Sequence, residues 1–445
     1  MKKFNVILAS CNNNGIGNEG KLPWKNSKDM NYFVKLTTFS PIPDLKNVVI
    51  MGRKTYESLP KNGLKNRINI VVSSTLESKG NIHVVKSFNE SLIFANNISH
   101  YMTWVIGGKS IYIQAFNHHM LDKIYYNFIN INAKCDTFIN LPKTKTITKM
   151  IDNDITYNIM KVNDNEIKYM NLLYYCLTKG NKRQTRNSVV LSNFSKEIEL
   201  DVSDSFPLLT SKRMYWRGIV EELLFFIRGD TNTLHLEEKK VNIWKGNTSK
   251  EFLDKMNLNY KVGDMGPMYG YQLRYYNKPY GKEGFGIDQM SELIEMLHND
   301  KHSRRLLMTT YNPSQVKEGV LYPCHSLILQ FYVNNDMLSV KMYQRSGDLF
   351  LGVPFNIAST SLLLYIIAKL SNLKPDKVIL TFGDIHIYES HIENVKKQLK
   401  REVLPSPKLI IPDFKSLKEV EKSTFKDYKL VNYKYKPSIK ARMIA

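Results

Sequence analysis

The tripeptide Pro323-Cys324-His325 is followed by Tyr343-Gln344-Arg345-Ser346-Gly347-Asp348 and by Gly352-Val353-Pro354-Phe355-Asn356-Ile357-Ala358-Ser359. This run supplies a thiol, an arginine and a side-chain amide in one strand-and-turn region. A thiol attacks only as the thiolate, and a close cation lowers its pKa toward that state. Cys324 beside Arg345 is therefore a candidate nucleophile. A cysteine without such company is most often a small buried hydrophobe.

A second constellation lies near the N-terminus. Asn26 or Ser27 can cap a helix, which places Asp29 in its first turn and Phe33 on the same face at i, i+4. Alone, this pair fits a carboxylate that complements a helix dipole and a core aromatic. Three strand ends nearby carry residues suited to phosphate: Met51-Gly52-Arg53-Lys54-Thr55, Val72-Ser73-Ser74-Thr75 and Val105-Ile106-Gly107-Gly108-Lys109-Ser110. Helix N-termini offer N–H groups and a positive dipole end, and glycine lets the backbone approach a pyrophosphate. A double glycine alone is common in tight turns. Three such turns point to a dinucleotide, and Arg53 with Lys54 points to a 2′-phosphate, hence NADP rather than NAD.

Two further features have a bland alternative. Arg217–Arg228 contains Glu221-Glu222-Leu223-Leu224-Phe225-Phe226. Read alone, a glutamate in so apolar a helix faces the surface or is buried with a purpose. Ser303-Arg304-Arg305 reads alone as a solvated basic face.

These residues need elements to position them. Val6–Ser10, Val48–Met51, Ile68–Ser73, Met102–Ile106 and Lys123–Ile129 are strand candidates that alternate with amphipathic segments, as in an α/β sheet. Ile155–Val162 reads as a closing strand. Lys168–Lys179 has helical spacing in Leu172, Leu173 and Leu177, and Gly180 can end it. At 445 residues the chain predicts two or three domains. Hydrophobic content of 43% and charged content of 23% are those of a soluble globular protein. Cys11, Cys135, Cys176 and Cys324 are scattered, without metal-ligand spacing, and fit a reducing, cytoplasmic compartment. The apolar run after Met1-Lys2-Lys3 is too short for a signal-peptide core, and no stretch of about 18 apolar residues is evident to span a membrane. The net charge of +22 fits a polyanionic partner, such as nucleic acid or an anionic cofactor, or a compositional bias toward lysine, asparagine and isoleucine. The lysines are spread rather than gathered into a stripe.

In order and spacing, Leu22-Pro23-Trp24, Asp29-x-x-x-Phe33, Met51-Gly52-Arg53-x-Thr55 and Ile106-Gly107-Gly108 resemble dihydrofolate reductase, across residues 1–162. The resemblance implies an α/β domain with a mixed, mostly parallel sheet. It implies that Asp29 binds the 2-amino and N3 edge of a pterin and supports protonation at N5. Ile7, Leu22, Phe33 and Ile106 would line the pterin pocket, Ile7 and Ile106 through backbone carbonyls. Arg67 would grip the glutamate α-carboxylate of folate. Arg53, Thr55, Ser73, Gly107, Gly108 and Tyr112 would hold NADPH, and Asn12–Gly20 would close over it as a lid. One departure is Asn127, which stands where the family places a threonine near the catalytic carboxylate.

After a linker at 163–166, residues 167–445 resemble thymidylate synthase, an α+β fold. The Cys324 block carries most of this likeness, with Phe206–Arg213, Gly266–Gln272 and Gly383–Tyr388. It implies that Cys324 is the nucleophile and that Glu222 organises waters and proton transfers. Tyr269 would be the active-site tyrosine. Arg345 and Ser346 would hold the dUMP phosphate, Asn356 would read the uracil edge, and His386 and Tyr388 would bind the deoxyribose. Trp244, Asp348 and Gly352 would contact folate. Arg304 and Arg305 resemble a pair given to the partner subunit, which implies a homodimer with shared sites. The implied reaction converts dUMP and 5,10-methylenetetrahydrofolate into dTMP and dihydrofolate, which the first domain reduces. The chain thus resembles bifunctional enzymes of the protozoan type. No metal, membrane or nucleic-acid partner is implied.

Three departures bear on the second domain. Lys182-Arg183-Gln184-Thr185-Arg186-Asn187-Ser188-Val189 lacks the family's glycines, which leaves Arg183 and Arg186 as alternatives for a phosphate arginine. One extra residue precedes the Gln330-Phe331-Tyr332 strand, and a β-bulge is expected to absorb it. The C-terminus ends in Arg442-Met443-Ile444-Ala445 rather than the usual valine. An alternative reading is therefore the same architecture with a weakened synthase.

Overall fold

The computed structural model describes residues 2–444 except 61, 143, 163 and 187, and the side chain of Val162. Asn163 of the expected linker, Asn187 of the arginine loop and Ala445 lie outside the described residues. The chain divides into two compact units, Met1–Ile167 and Lys168–Ala445.

The first unit is built on an eight-stranded sheet in the order Ile82–Val85, Arg67–Val72, Asn47–Gly52, Thr103–Gly107, Phe4–Ser10, Leu121–Ile129, Ile155–Val162, Thr144–Asp152. Pairing is parallel up to Leu121–Ile129 and antiparallel beyond it. The central strands are apolar on both faces, and Val48, Val49, Ile50 and Met51 are fully buried, as strands covered on both sides require. Two strands have no counterpart in the expected set. Ile82–Val85 is only four residues long, and Thr144–Asp152 is an exposed, lysine-bearing edge strand without apolar alternation. The helix Ser27–Thr38 is capped by Asn26, whose side chain accepts from Asp29 N–H at 3.1 Å.

The next helix, Asn165–Lys179, starts at Asn165 rather than Lys168, because Asp164 Oδ1 accepts the Ile167 N–H at 3.0 Å and holds the first turn. In the second unit six strands run in the order Asn181–Gln184, Val189–Asp201, Lys374–Tyr388, Met337–Asp348, Ile328–Asn334, Leu307–Thr309. Only the pair Lys374–Tyr388 and Met337–Asp348 is parallel. Trp216–Ile227 and Gly352–Leu370 are its buried helices. Gly352–Leu370 is apolar and long enough to cross a membrane, which corrects the expectation that no such stretch exists, but its most apolar window is 78% buried inside the unit. Asn356, Ser359, Thr360 and Ser361 interrupt the run and disguise it in the sequence.

The expected β-bulge after Cys324 is absent. Ile328–Asn334 pairs with Met337–Tyr343 in unbroken register. Instead Ser326, at φ 53°, turns the chain before the strand begins.

Candidate active sites

The Cys324 loop is fastened to the strand Met337–Asp348. Arg345 N–H and Ser346 N–H donate to the Cys324 carbonyl at 3.0 and 3.4 Å. The Arg345 side chain donates through Nε to Pro323 O at 2.7 Å and through Nη2 to Tyr322 O at 3.0 Å. It therefore braces the loop and sets a positive charge beside the thiol. Tyr269 stands at the start of the helix Gly270–Tyr275 at φ 36°, a rare conformation for a non-glycine residue. Gly270 permits this turn, since a Cβ there would lie 2.5 Å from Phe226 O. The Tyr269 hydroxyl sits 3.6 Å from Cys324 Sγ and accepts the Cys324 N–H at 3.1 Å. Its ring stacks on His325 and Phe226, with centroids 4.7 and 5.0 Å away.

Burial pushes the Cys324 thiol above its ordinary pKa, while Tyr269 and Arg345 pull it back. The expected lowering by arginine is present, but desolvation exceeds it. Glu222 is buried on Trp216–Ile227, which removes the surface reading. Burial raises its pKa to about 7, against an opposing hydrogen bond from Trp244 Nε1 to Oε1 at 2.8 Å. The adjacent Glu221 is also buried but is paired with Lys239 at 2.7 Å and accepts Phe425 N–H at 2.9 Å, a structural role.

Asn356, in the second turn of Gly352–Leu370, accepts from Gln344 Nε2 at 3.0 Å. Gln344 lies within a motif evident in the sequence, yet its bracing role was not legible there. Asp384 was missed as well. It takes Arg183 Nη1 at 2.9 Å on Oδ2 and sits 3.0 Å from His386 Nδ1 through Oδ1. The available signal was its i−2 spacing from His386 on one strand face. Strand register places Asp348 opposite His386 and Ser346 opposite Asp384. Asp348 Oδ1 accepts the N–H groups of Phe350 and Leu351 at 2.9 and 3.3 Å, steering the chain into the helix that Gly352 begins.

The strands Asn181–Gln184 and Val189–Asp201 form a hairpin whose turn is closed by Thr185, its hydroxyl donating to Ser188 O at 2.6 Å. Arg183 lies within the strand and is engaged by Asp384. Arg186 is near enough to Tyr388 to lower its pKa, against burial and the charges of Asp348, Cys324 and Asp384 that raise it. Arg304 and Arg305 are exposed, and among the described residues neither forms an ion pair.

In the first unit Asp29 is buried, with Oδ1 accepting Asn127 Nδ2 at 2.7 Å and Oδ2 accepting Trp24 Nε1 at 3.3 Å. Burial raises its pKa, and these two hydrogen bonds oppose the rise. Ile7 and Ile106 are buried in one apolar cluster, with Phe33 packed against it. Tyr112 donates from its hydroxyl to Ile7 O at 2.9 Å, which ties the helix after the glycine turn to the strand that carries Ile7. Leu22 is 51% exposed, and Trp24 turns inward to the carboxylate. Leu22, Pro23 and Trp24 line a cleft of about 330 Å³. Arg67 is buried and donates to Lys65 O at 2.9 Å and Thr37 Oγ1 at 2.8 Å. Among the described residues no carboxylate pairs with it, which suits a ligand anion.

The glycine turn fits a dinucleotide phosphate. Gly107 has φ 124°, where a Cβ would come within 3.3 Å of the Tyr112 ring, and a Cβ on Gly108 would lie 3.1 Å from Thr55 Oγ1. Among the described residues no side chain caps the helices Arg53–Glu57 and Lys109–Phe116, so their first N–H groups can meet an anion. Arg53 is half-exposed and bonded to Glu57 at 2.9 Å, and Ser73 Oγ accepts Thr75 and Leu76 N–H at 3.1 Å each. The strand Gly15–Gly17 pairs with Thr137–Phe138, and Asp136 Oδ2 accepts Glu19 N–H at 2.7 Å. Among the described residues no His, Cys, Asp and Glu group could hold a metal.

Residues 3–169 match the dihydrofolate reductase family and residues 167–445 the thymidylate synthase family. The bifunctional dihydrofolate reductase-thymidylate synthase of Paramecium tetraurelia is 36% identical, covering 99% of each chain. That of Plasmodium chabaudi is 32% identical over 98% of this chain and 96% of its own length, and that of Zea mays 32% over 99% and 97%. With both sites built on matching segments, the chain belongs to the bifunctional dihydrofolate reductase–thymidylate synthase family.

Proposed function

We propose that the chain carries out two successive steps of a thymidylate cycle. The second unit methylates dUMP with 5,10-methylenetetrahydrofolate, giving dTMP and dihydrofolate, and the first unit reduces dihydrofolate to tetrahydrofolate with NADPH. One observation carries this reading: each unit holds a reactive group with side chains that the chemistry needs, partly buried Cys324 by Tyr269 and Arg345, and buried Asp29 by Asn127 and Trp24.

In the second unit Arg345 and Tyr269 favour the thiolate that bonds to C6 of dUMP, which makes C5 a carbon nucleophile. Glu222, with its pKa raised to about 7, can hold or release a proton near neutrality through water. Asn356 presents its amide to the N3 and O4 edge, with its oxygen steadied by Gln344. Asp384 orients His386 toward the 3′-hydroxyl, beside Tyr388. Arg345, Ser346 and Arg186 form the phosphate side of the site. In the first unit NADPH, when bound, supplies hydride. Asp29 binds the 2-amino and N3 edge and supports protonation at N5, and Arg67 takes the glutamate α-carboxylate.

The proposal includes a homodimer with shared synthase sites. Its support is an apolar, exposed sheet face: Leu307, Ile328 and Tyr332 share one face, since Leu307 pairs with Gln330 between them. Arg304 and Arg305 of a second copy would then reach the phosphate. Free cysteines, including Cys11 and Cys135 with sulfurs 3.5 Å apart, favour a reducing cytoplasmic location.

The two chemistries should separate by mutation. Cys324→Ser should abolish dTMP formation while NADPH-dependent dihydrofolate reduction persists, and Asp29→Asn should do the reverse. Loss of both activities in either folded variant would refute two independent sites.

A further inference from the structure

We propose that Asn127 is a specificity-determining residue of the first unit: its side-chain oxygen directly accepts one N–H of the ligand's exocyclic 2-amino group, while its amide nitrogen holds Asp29. The inference rests on the reading of Asp29 as the carboxylate that binds this edge.

Asn127 is 1% exposed, on the strand Leu121–Ile129. Its Nδ2 donates to Asp29 Oδ1 at 2.7 Å, but its Oδ1 is buried and, among the described residues, has no hydrogen-bond partner. Buried amide oxygens are almost always satisfied, so an orphan one needs an explanation. Asp29 fixes which way the amide faces, because an ionised carboxylate accepts and cannot face another acceptor. The oxygen is thereby held on the same planar group, one amide width from the carboxylate.

Among the described residues no donor of the protein reaches this oxygen. Trp24 Nε1 serves the other Asp29 oxygen. Of its two register partners, Ala9 on Phe4–Ser10 offers only a methyl group, and Tyr157 on Ile155–Val162 makes no hydrogen bond to the Asn127 oxygen. A ligand placed on Asp29 supplies the missing donor. An exocyclic amine has two N–H groups. The carboxylate takes one together with N3–H, and the other projects from the same edge toward Asn127 Oδ1. A threonine hydroxyl, once it donates to the carboxylate, has a shorter reach and no carbonyl-type acceptor. The site is therefore built to read both hydrogens of an unsubstituted amine, and to reject ligands lacking it.

The test uses the full chain with NADPH and two probes, a 2,4-diaminopyrimidine and its 2-desamino counterpart, titrated to equilibrium. Each probe is measured on the wild type, Asn127→Thr and Asp29→Asn. The ratio of the two dissociation constants should fall about tenfold in Asn127→Thr, the order expected for one buried hydrogen bond. An unchanged ratio in Asn127→Thr, with the ratio collapsed in Asp29→Asn, overturns the role of Asn127 and leaves the Asp29 reading intact. An unchanged ratio in Asp29→Asn overturns the Asp29 reading itself. Should Asn127→Thr fail to fold, the wild type decides alone. With the 2-amino group ¹⁵N-labelled, both amine protons should be resolved and protected from exchange in the complex, and one proton exchanging like solvent overturns the proposal.

Discussion

A carboxyl group enclosed beneath an indole must either lose its charge or destabilise the fold, and Glu222 illustrates this conflict. Its pKa of about 7 in the folded chain compares with an ordinary value of 4.5. Between those values the folded state binds more protons than the unfolded state. Stability therefore falls as pH rises through this window, by on the order of 3 kcal/mol in full, and the penalty is complete above about pH 7. Glu222→Gln keeps the shape and removes the charge. Its denaturant midpoint should exceed that of the wild type at pH 8 and approach it at pH 5, while dTMP formation drops sharply. A midpoint difference independent of pH would show that Glu222 does not titrate in this range. Retaining such a group at a thermodynamic cost is what catalysis near neutral pH requires.

The hairpin of Asn181–Gln184 and Val189–Asp201 bears, at the level of an element, on a choice that residue types left open. Its tight turn fixes Arg183 in a strand against Asp384 and leaves Arg186 at the tip, within electrostatic range of Tyr388. Arg186→Ala should raise KM for dUMP clearly, as loss of a charge-assisted contact costs roughly 1.5–3 kcal/mol. Arg183→Ala should change KM less, because its ion pair is partly exposed. Steady-state kinetics with dUMP varied will tell, and equal effects would contradict this assignment. Asp29, Phe33 and the glycine turns were legible because helical spacing and φ requirements are local. Asp384, Gln344 and the turn at Ser326 were not. Their roles depend on which strand lies alongside, and no local spacing encodes that. Asn127 was visible as a departure, but its unsatisfied oxygen emerges only once Asp29 is packed against it.

At the scale of the whole molecule, the exposed sheet face and two arginines that form no ion pair among the described residues raise the same question. Leu307, Ile328 and Tyr332 present apolar surface that a lone copy leaves in water, and Tyr332 is 67% exposed. Arg304 and Arg305 lie one residue ahead of the Leu307–Thr309 strand of that sheet, so a second copy stacked on the face would carry its own arginines toward its neighbour's site. Consider Cys324→Ser and Arg305→Ala, each severely impaired alone. In a mixed dimer one site combines both defects and the other combines an intact cysteine with intact arginines. Random reassociation makes about half the dimers mixed, so about a quarter of all sites should be whole under two-fold symmetry. Co-expression or refolding of the two variants together should restore dTMP synthesis toward that fraction. Absence of recovery, with mixed dimers confirmed and both parents impaired, would assign the arginines to the site of their own chain.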